Sequence, residues 1–155
     1  MDIREVWNEL LSNQVLVSSV VGWVVAQVLK TIIDCALNRS FSPERLVGAG
    51  GMPSSHSATV CALVVSSGIC YGFASFELAI SFVLAAVVMY DATGVRQETG
   101  KQARLLNLIL EQDLLKWKTE EFQKKLKEFV GHTPLQVLAG AVLGVVLALL
   151  VNLAY

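Results

Sequence analysis

Two apolar stretches decide the fold: residues 15–37, VLVSSVVGWVVAQVLKTIIDCAL, and residues 135–155, LQVLAGAVLGVVLALLVNLAY. A helix needs about 20 apolar residues to cross the hydrocarbon core of a bilayer, and both stretches are long enough. A shorter stretch, residues 57–76, is also adequate. A weaker one follows, because only thirteen uncharged residues separate Glu77 from Asp91. The sequence therefore predicts about four transmembrane helices, at about 15–37, 57–76, 77–92 and 133–155.

The composition places the chain in the membrane class. Of its 155 residues, 54% are apolar and only 16% are charged, which is more apolar than an ordinary soluble domain. Glycines recur within the apolar stretches, and small residues let membrane helices approach closely. We predict an all-α, polytopic helical bundle in which residues 1–155 form a single membrane domain. We expect no cofactor, no metal and no nucleic-acid partner, whereas a homo-oligomer stays open.

Residues 97–130 have a different character. Apolar positions such as Leu105, Leu108 and Phe122 alternate with charges of both signs at roughly helical spacing, which predicts an amphipathic helical insert. Two interpretations stay open. The insert is a solvated helical hairpin packed on the bundle, or it lies in the lipid interface with its basic and aromatic side chains on headgroups, namely Trp117, Lys124, Lys125 and Lys127.

The basic residues predict the orientation. Four crossings put the loop 38–56 and the segment 91–132 on one side of the membrane, and ten of the twelve Lys and Arg residues lie there. The positive-inside rule makes this side cytoplasmic, or stromal or matrix in an organelle. The same parity brings the ends of the first and third helices to the beginnings of the second and fourth.

Both histidines fall at these beginnings. His56 lies in residues 50–57, GGMPSSHS, and His132 in residues 131–134, GHTP. Helix amino-termini attract anions, and histidine titrates near physiological pH, so the pair predicts a phosphate site. The topology lets further charged residues converge there, namely Lys30, Arg39, Asp91 and Arg96.

Ordinary structural roles are the alternatives for several of these residues. Lys30 could simply neutralise Asp34, which lies one helical turn away. Arg39 and Arg96 could be topology determinants at helix ends, and Ser54 could be a helix N-cap, which is compatible with a phosphate role.

Three motifs together resemble a known family. Residues 51–58, GMPSSHSA, residues 90–96, YDATGVR, and residues 131–134, GHTP, resemble the divergent membrane branch of the type 2 phosphatidate phosphatase and vanadium haloperoxidase superfamily. The resemblance extends from about residue 15 to the end of the chain. It implies that His132 is the nucleophile that forms a phosphohistidine and that His56 is the general acid that protonates the leaving alcohol. It also implies metal-independent chemistry in which the phosphoryl oxygens are bound by Lys30, Arg39, Ser54 and Ser55.

The chain departs from the family pattern at several positions. Ser55 replaces a glycine, and Gln136 replaces the acid four residues after the nucleophile, so Asp91 is a candidate for the missing carboxylate. Arg96 is the candidate for the arginine that the third motif lacks, with Arg104 behind it. The family also expects a lysine and an arginine near the end of the first helix, where Lys30 stands, and the spacing leaves open whether Arg39 or Arg45 closes on phosphate.

The favoured function is an integral membrane phosphatase that hydrolyses a phosphoric monoester or diphosphate. Its expected substrate is a lipid or isoprenoid phosphate, and its expected surroundings are membrane lipids. The alternative is a catalytically weak or inactive membrane protein that binds anionic lipid phosphate as a scaffold or regulator. The uncharged Gln136 is the feature that supports this alternative.

Overall fold

The computed structural model describes residues 2–38, 50–111 and 131–155, and all regular structure within them is helical. The helices are α1 (Ile3–Ser12), α2 (Gln14–Asn38), α3 (Ser55–Tyr71), α4 (Phe76–Thr93), α5 (Val95–Glu111) and α6 (Pro134–Ala154). Three helical stretches are long and apolar enough to cross a membrane, 14–37, 76–109 and 134–154, and α3 is a shorter apolar helix. The described chain is thus an all-α membrane bundle. Arg39, Arg45, Trp117 and the lysines at 124–127 lie outside the described residues.

The middle helices differ in their bounds from the sequence prediction. The second apolar stretch was expected to continue to residue 76, but α3 ends at Tyr71 because Gly72 adopts a φ of +90°. Ser75 then caps α4 by accepting a hydrogen bond from the Leu78 N–H at 3.2 Å. Residues 72–75 are therefore the turn between α3 and α4.

The sequence analysis missed α1. Its beginning carries a capping box in which Asp2 and Glu5 each accept a backbone N–H of the other residue. Trp7 and Leu11 lie on one face and are 60% and 63% exposed. A search for long apolar stretches cannot find so short an amphipathic helix, but the capping box and the helical spacing of its apolar residues were visible in the sequence.

The bundle is built around α3, which packs against α2, α4 and α6. The buried residues of α3 are mostly small, such as Ser57, Ala58 and Ala62. Glycines of α6 meet its backbone, because a Cβ at Gly140 or Gly144 would clash with a carbonyl oxygen of the α3 segment. Large apolar side chains point outward instead and are more than half exposed on α4 and α6, including Phe82, Val83, Leu138 and Val142. Small residues inside and large apolar residues outside are typical of a bundle surrounded by lipid.

Polar contacts mark the end of the bundle opposite the histidines. The Gln14 amide donates a hydrogen bond to the Asn152 amide oxygen at 2.8 Å, and the Ser18 hydroxyl donates to Ser66 at 3.2 Å. The beginning of α2 therefore lies beside the end of α6. The other ends of these helices converge on the two histidines, as the parity of the crossings predicts.

Replacing Gly144 with alanine is expected to destabilise the bundle by about 1–3 kcal/mol, because the new Cβ meets the backbone carbonyl of Ala58, which cannot move aside. Gly68→Ala is the matched control, since its nearest neighbours are side-chain tips, Leu78 Cδ1 at 3.1 Å and Phe73 Cε1 at 3.3 Å. Thermal unfolding in detergent measures both. Equal losses of stability would contradict the close α3–α6 approach.

Candidate active site

Backbone hydrogen bonds fix the loop that carries His132. Its N–H donates to the Ala92 carbonyl in the last turn of α4 at 3.0 Å. The preceding Gly131 has a φ of +97°, and a Cβ there would clash with the backbone N of Gln97. On the other side, the Ser54 N–H donates to the Gln136 carbonyl at 3.0 Å. The beginnings of α3 and α6 and the end of α4 are thereby held together.

This arrangement brings the two histidines face to edge. Their ring centroids are 6.1 Å apart, and the ring planes are inclined by 61°. His132 is only 3% exposed, and His56 is half-buried. Both rings line a cavity of about 230 Å³ whose other walls come from α4 and the start of α5, namely Val87, Val88, Asp91, Ala92 and Arg96.

Gln136 orients the ring of His132. Its side-chain oxygen accepts a hydrogen bond from the Thr133 N–H at 3.1 Å and lies 3.4 Å from His132 Nδ1. A side-chain carbonyl can only accept, so this contact favours the tautomer with the proton on Nδ1. The other nitrogen, Nε2, is buried and makes no hydrogen bond with any described residue. In this tautomer Nε2 carries the lone pair that a nucleophile would use.

Burial lowers the pKa of His132 below its ordinary value of 6.5. The nearby charges of His56 and Lys30 lower it further, while hydrogen bonds with the Gln136 side chain and the Gly51 backbone raise it. His132 is consequently neutral at pH 7, which is the protonation state that a nucleophile requires.

Gln136→Glu is expected to move the acid limb of the pH–rate profile to higher pH. A carboxylate beside Nδ1 favours the imidazolium and raises the pKa of His132, by about one pH unit or more. At pH values between the pKa of His132 in the wild type and its higher pKa in the variant, a larger fraction of His132 is protonated in the variant, which is therefore slower than the wild type.

The pH dependence of kcat/KM and an NMR titration of the histidine C–H signals measure this shift together. Gln102→Glu on the exposed side of α5 is the matched control, because it introduces the same charge away from His132. An unmoved acid limb with Gln136→Glu would contradict the assignment of His132 as the group that must be neutral.

The predicted phosphate-binding residues fall into different settings. Lys30 is 2% exposed and lies two turns before the end of α2, where its stem packs on Gly51. Ser54 is fully buried as the N-cap of α3, and its oxygen accepts hydrogen bonds from the Ser57 N–H at 3.3 Å and the Ser57 hydroxyl at 3.0 Å. Ser55 is 2% exposed. Neither serine is among the residues that line the cavity, and Arg39 lies outside the described residues.

Asp91 is placed differently from the expectation. Its carboxylate accepts a hydrogen bond from Arg96 Nε at 2.5 Å, and the pair lines the cavity. Asp91 interacts electrostatically with His56, whereas the side chain that contacts Nδ1 of His132 belongs to Gln136. The carboxylate and Arg96 therefore lie at the side of the cavity beside the candidate acid.

A second cavity of about 360 Å³ also borders His132. Gln97, Lys101 and Arg104 of α5 line it, together with the glycines of the two loops and the residues that begin α6. Sequence reasoning placed Arg104 behind Arg96 and did not single out Lys101. The available signal was the helical spacing of Gln97, Lys101 and Arg104, which follow one another after four and three residues and so share one face of α5.

With this geometry in view, the chain can be compared with known proteins. The model of the Divergent PAP2 family matches residues 11–147, which is most of the chain. The chain belongs to the Divergent PAP2 family. Over 156 aligned residues it is 40% identical to "Uncharacterized membrane protein YuiD" of Bacillus subtilis (strain 168), covering 95% of this chain and 98% of that protein. No solved structure matches.

Membership in the Divergent PAP2 family confirms the relationship that the three sequence motifs predicted. The matched residues, 11–147, include all three motifs and both histidines. The relative is also named as a membrane protein, in agreement with the helical bundle.

Proposed function

We propose that this protein is an integral membrane phosphatase that hydrolyses a lipid or isoprenoid phosphate through a phosphohistidine intermediate. The observation that carries the proposal is the buried, unpartnered Nε2 of His132, which shares a cavity with His56. A nucleophile whose proton is held on the far nitrogen, with a second imidazole 6.1 Å away, is suited to two-step phosphoryl transfer.

In the first step, His132 Nε2 attacks phosphorus and forms the P–N bond while the P–O bond to the alcohol breaks. The negative charge of the bound phosphate favours the protonated form of His56, which then donates its proton to the leaving oxygen. In the second step, His56 accepts a proton from water as the water oxygen attacks the phosphohistidine. Breaking of the P–N bond then releases phosphate and restores both histidines.

Buried positive charge stabilises the phosphoryl group in this scheme. The charge of Lys30 acts on both histidines, so its ammonium lies close enough to favour negative charge between them. His56 lies in the first turn of α3 and His132 just precedes α6, so the positive ends of both helix dipoles lie beside the cavity. Arg96 adds a cation at the cavity wall, although Asp91 neutralises much of its charge.

The apolar wall of the cavity suits the alcohol of a lipid. Val87 and Val88 of α4 line the cavity beside His56, and Val87 is 60% exposed on the outside of the bundle, which faces lipid. An acyl or isoprenoid chain attached to the leaving oxygen can therefore continue into the bilayer along α4. The charge asymmetry of the sequence favours a cytoplasmic position for this end of the bundle, or a stromal or matrix position in an organelle.

Phosphate release from a panel of lipid and isoprenoid phosphates tests the proposal with the purified, detergent-solubilised protein. We expect release from at least one substrate, inhibited by vanadate, which mimics the trigonal-bipyramidal phosphoryl group. No release from any substrate, combined with retained binding of phosphate lipids, would instead support the second function, a scaffold or regulator that binds anionic lipid. The uncharged Gln136 at the position that orients His132 is the observation that favours this alternative.

A further inference from the structure

The second cavity beside His132 has the composition of an anion site and is not used by the mechanism above. We refer to it as the α5 groove. Its cations are Lys101 and Arg104, and Gln97 lies one turn before Lys101 on the same face of α5. None of the described residues that line it is a carboxylate. The described lining of the groove therefore contributes two cationic side chains and no carboxylate.

Lys101 keeps access to water despite its ion pair. Its ammonium lies 2.6 Å from Glu98, yet its side chain is 63% exposed and that of Glu98 is 59% exposed. Exposed pairs of this kind contribute little to stability, so an incoming anion can compete with Glu98 for the ammonium. Glu98 does not line the groove.

The remaining walls of the groove are mostly backbone. Four glycines line it, Gly50, Gly51, Gly100 and Gly131, and polar groups of the α6 beginning complete it, namely Thr133 and Gln136. Backbone without side chains allows an anion to approach N–H groups closely. The groove is thus shaped for a compact polar ligand rather than for a hydrocarbon chain.

The first cavity has the opposite character. Its lining includes two valines and the carboxylate of Asp91, whereas the described lining of the α5 groove includes two cations, no carboxylate and no valine. His132 is the residue that lines both. The two cavities therefore meet at the nucleophile, one on the lipid side and one on the polar side.

We propose that the α5 groove is a second anion subsite that binds a phosphate group next to the one that His132 attacks. A role of this subsite in the phosphatase reaction rests on the proposed function. Phosphate binding at Lys101 and Arg104 is independent of that function. The ligand is either inorganic phosphate, as the product on its way to water, or the phosphate of a lipid headgroup.

Two binding measurements separate these sources. Calorimetric titration of inorganic phosphate into the protein in phosphatidylcholine nanodiscs reports the free anion. Native mass spectrometry of protein from nanodiscs containing phosphatidate counts the phosphate lipids that remain bound. Each measurement compares the wild type with Lys101→Gln, Arg104→Gln and the double variant. Gln102→Glu is the matched control, because it changes the net charge by the same amount on an exposed position of α5 outside the groove.

We expect the affinity in one of the two arms to fall about tenfold for each cation removed and more than tenfold for the double variant, with less than a twofold change for Gln102→Glu. If Gln102→Glu weakened phosphate binding equally, the loss of affinity would come from the net charge of the protein rather than from contacts in the groove, and the subsite would be overturned. Unchanged binding of both ligands in the double variant would overturn it as well. Phosphate binding that depends on Lys101 in a protein that releases no phosphate from any substrate would contradict the phosphatase and leave the subsite standing.

Discussion

Alanine in place of His132 is expected to lower the rate of phosphate release by about 10⁴-fold or more, because the variant lacks the atom that attacks phosphorus. The wild type should also form a covalent phosphoenzyme with a ³²P-labelled substrate, trapped by an alkaline quench in which phosphohistidine survives. His132→Ala should trap no label. Steady-state release and the quench are measured on the same preparations.

The outcome needs a folding control, since the backbone of His132 also bonds to Ala92. Alanine retains that N–H, so the melting temperature of His132→Ala should stay close to that of the wild type. A folded variant that keeps more than about a tenth of the wild-type rate would contradict nucleophilic catalysis by His132.

Alanine in place of His56 is expected to lower the rate by about 10²–10⁴-fold with a lipid phosphate, because an alkoxide is a poor leaving group without a proton donor. The loss should be much smaller with p-nitrophenyl phosphate, whose leaving group departs without protonation. The ratio of the two kcat/KM values, compared between wild type and variant, measures this difference.

The same pair of substrates distinguishes the two histidines. For His132→Ala the loss should be large with both substrates, since attack on phosphorus is missing in each case. A loss for His56→Ala that is equal with both substrates would assign His56 to binding or structure rather than to acid catalysis. This comparison needs no knowledge of the natural lipid.

The convergence of His56 and His132 could be predicted because it depends only on the number of crossings and on where each motif lies in the chain. Four apolar stretches in a row oblige the second and fourth helices to begin on the same side of the membrane. The structure places the two rings 6.1 Å apart at that end. Periodicity and parity are properties of the sequence alone, so this part of the site is accessible without coordinates.

The partner of Asp91 was not predictable in the same way. Asp91 and Arg96 are five residues apart and are separated by the break at Gly94, between α4 and α5. Whether the carboxylate reaches His132 or Arg96 depends on the angle of that break, which no hydrophobic pattern encodes. The α5 groove was missed for a related reason, because its walls come from two loops and three helix ends that meet only in the folded chain.

The brevity of α3 links the site to the thickness of the bilayer. α3 has 17 residues, so it spans roughly 26 Å, somewhat less than the roughly 30 Å of a typical hydrocarbon core. The shortfall must be met by thinning of the surrounding lipid or by a change in helix tilt. Because α3 carries His56 and α4 holds the backbone of His132, we expect a change of tilt to alter the distance between the two histidines. The chain length of the surrounding lipid would then act on the site as a mechanical variable, independently of which molecule occupies it.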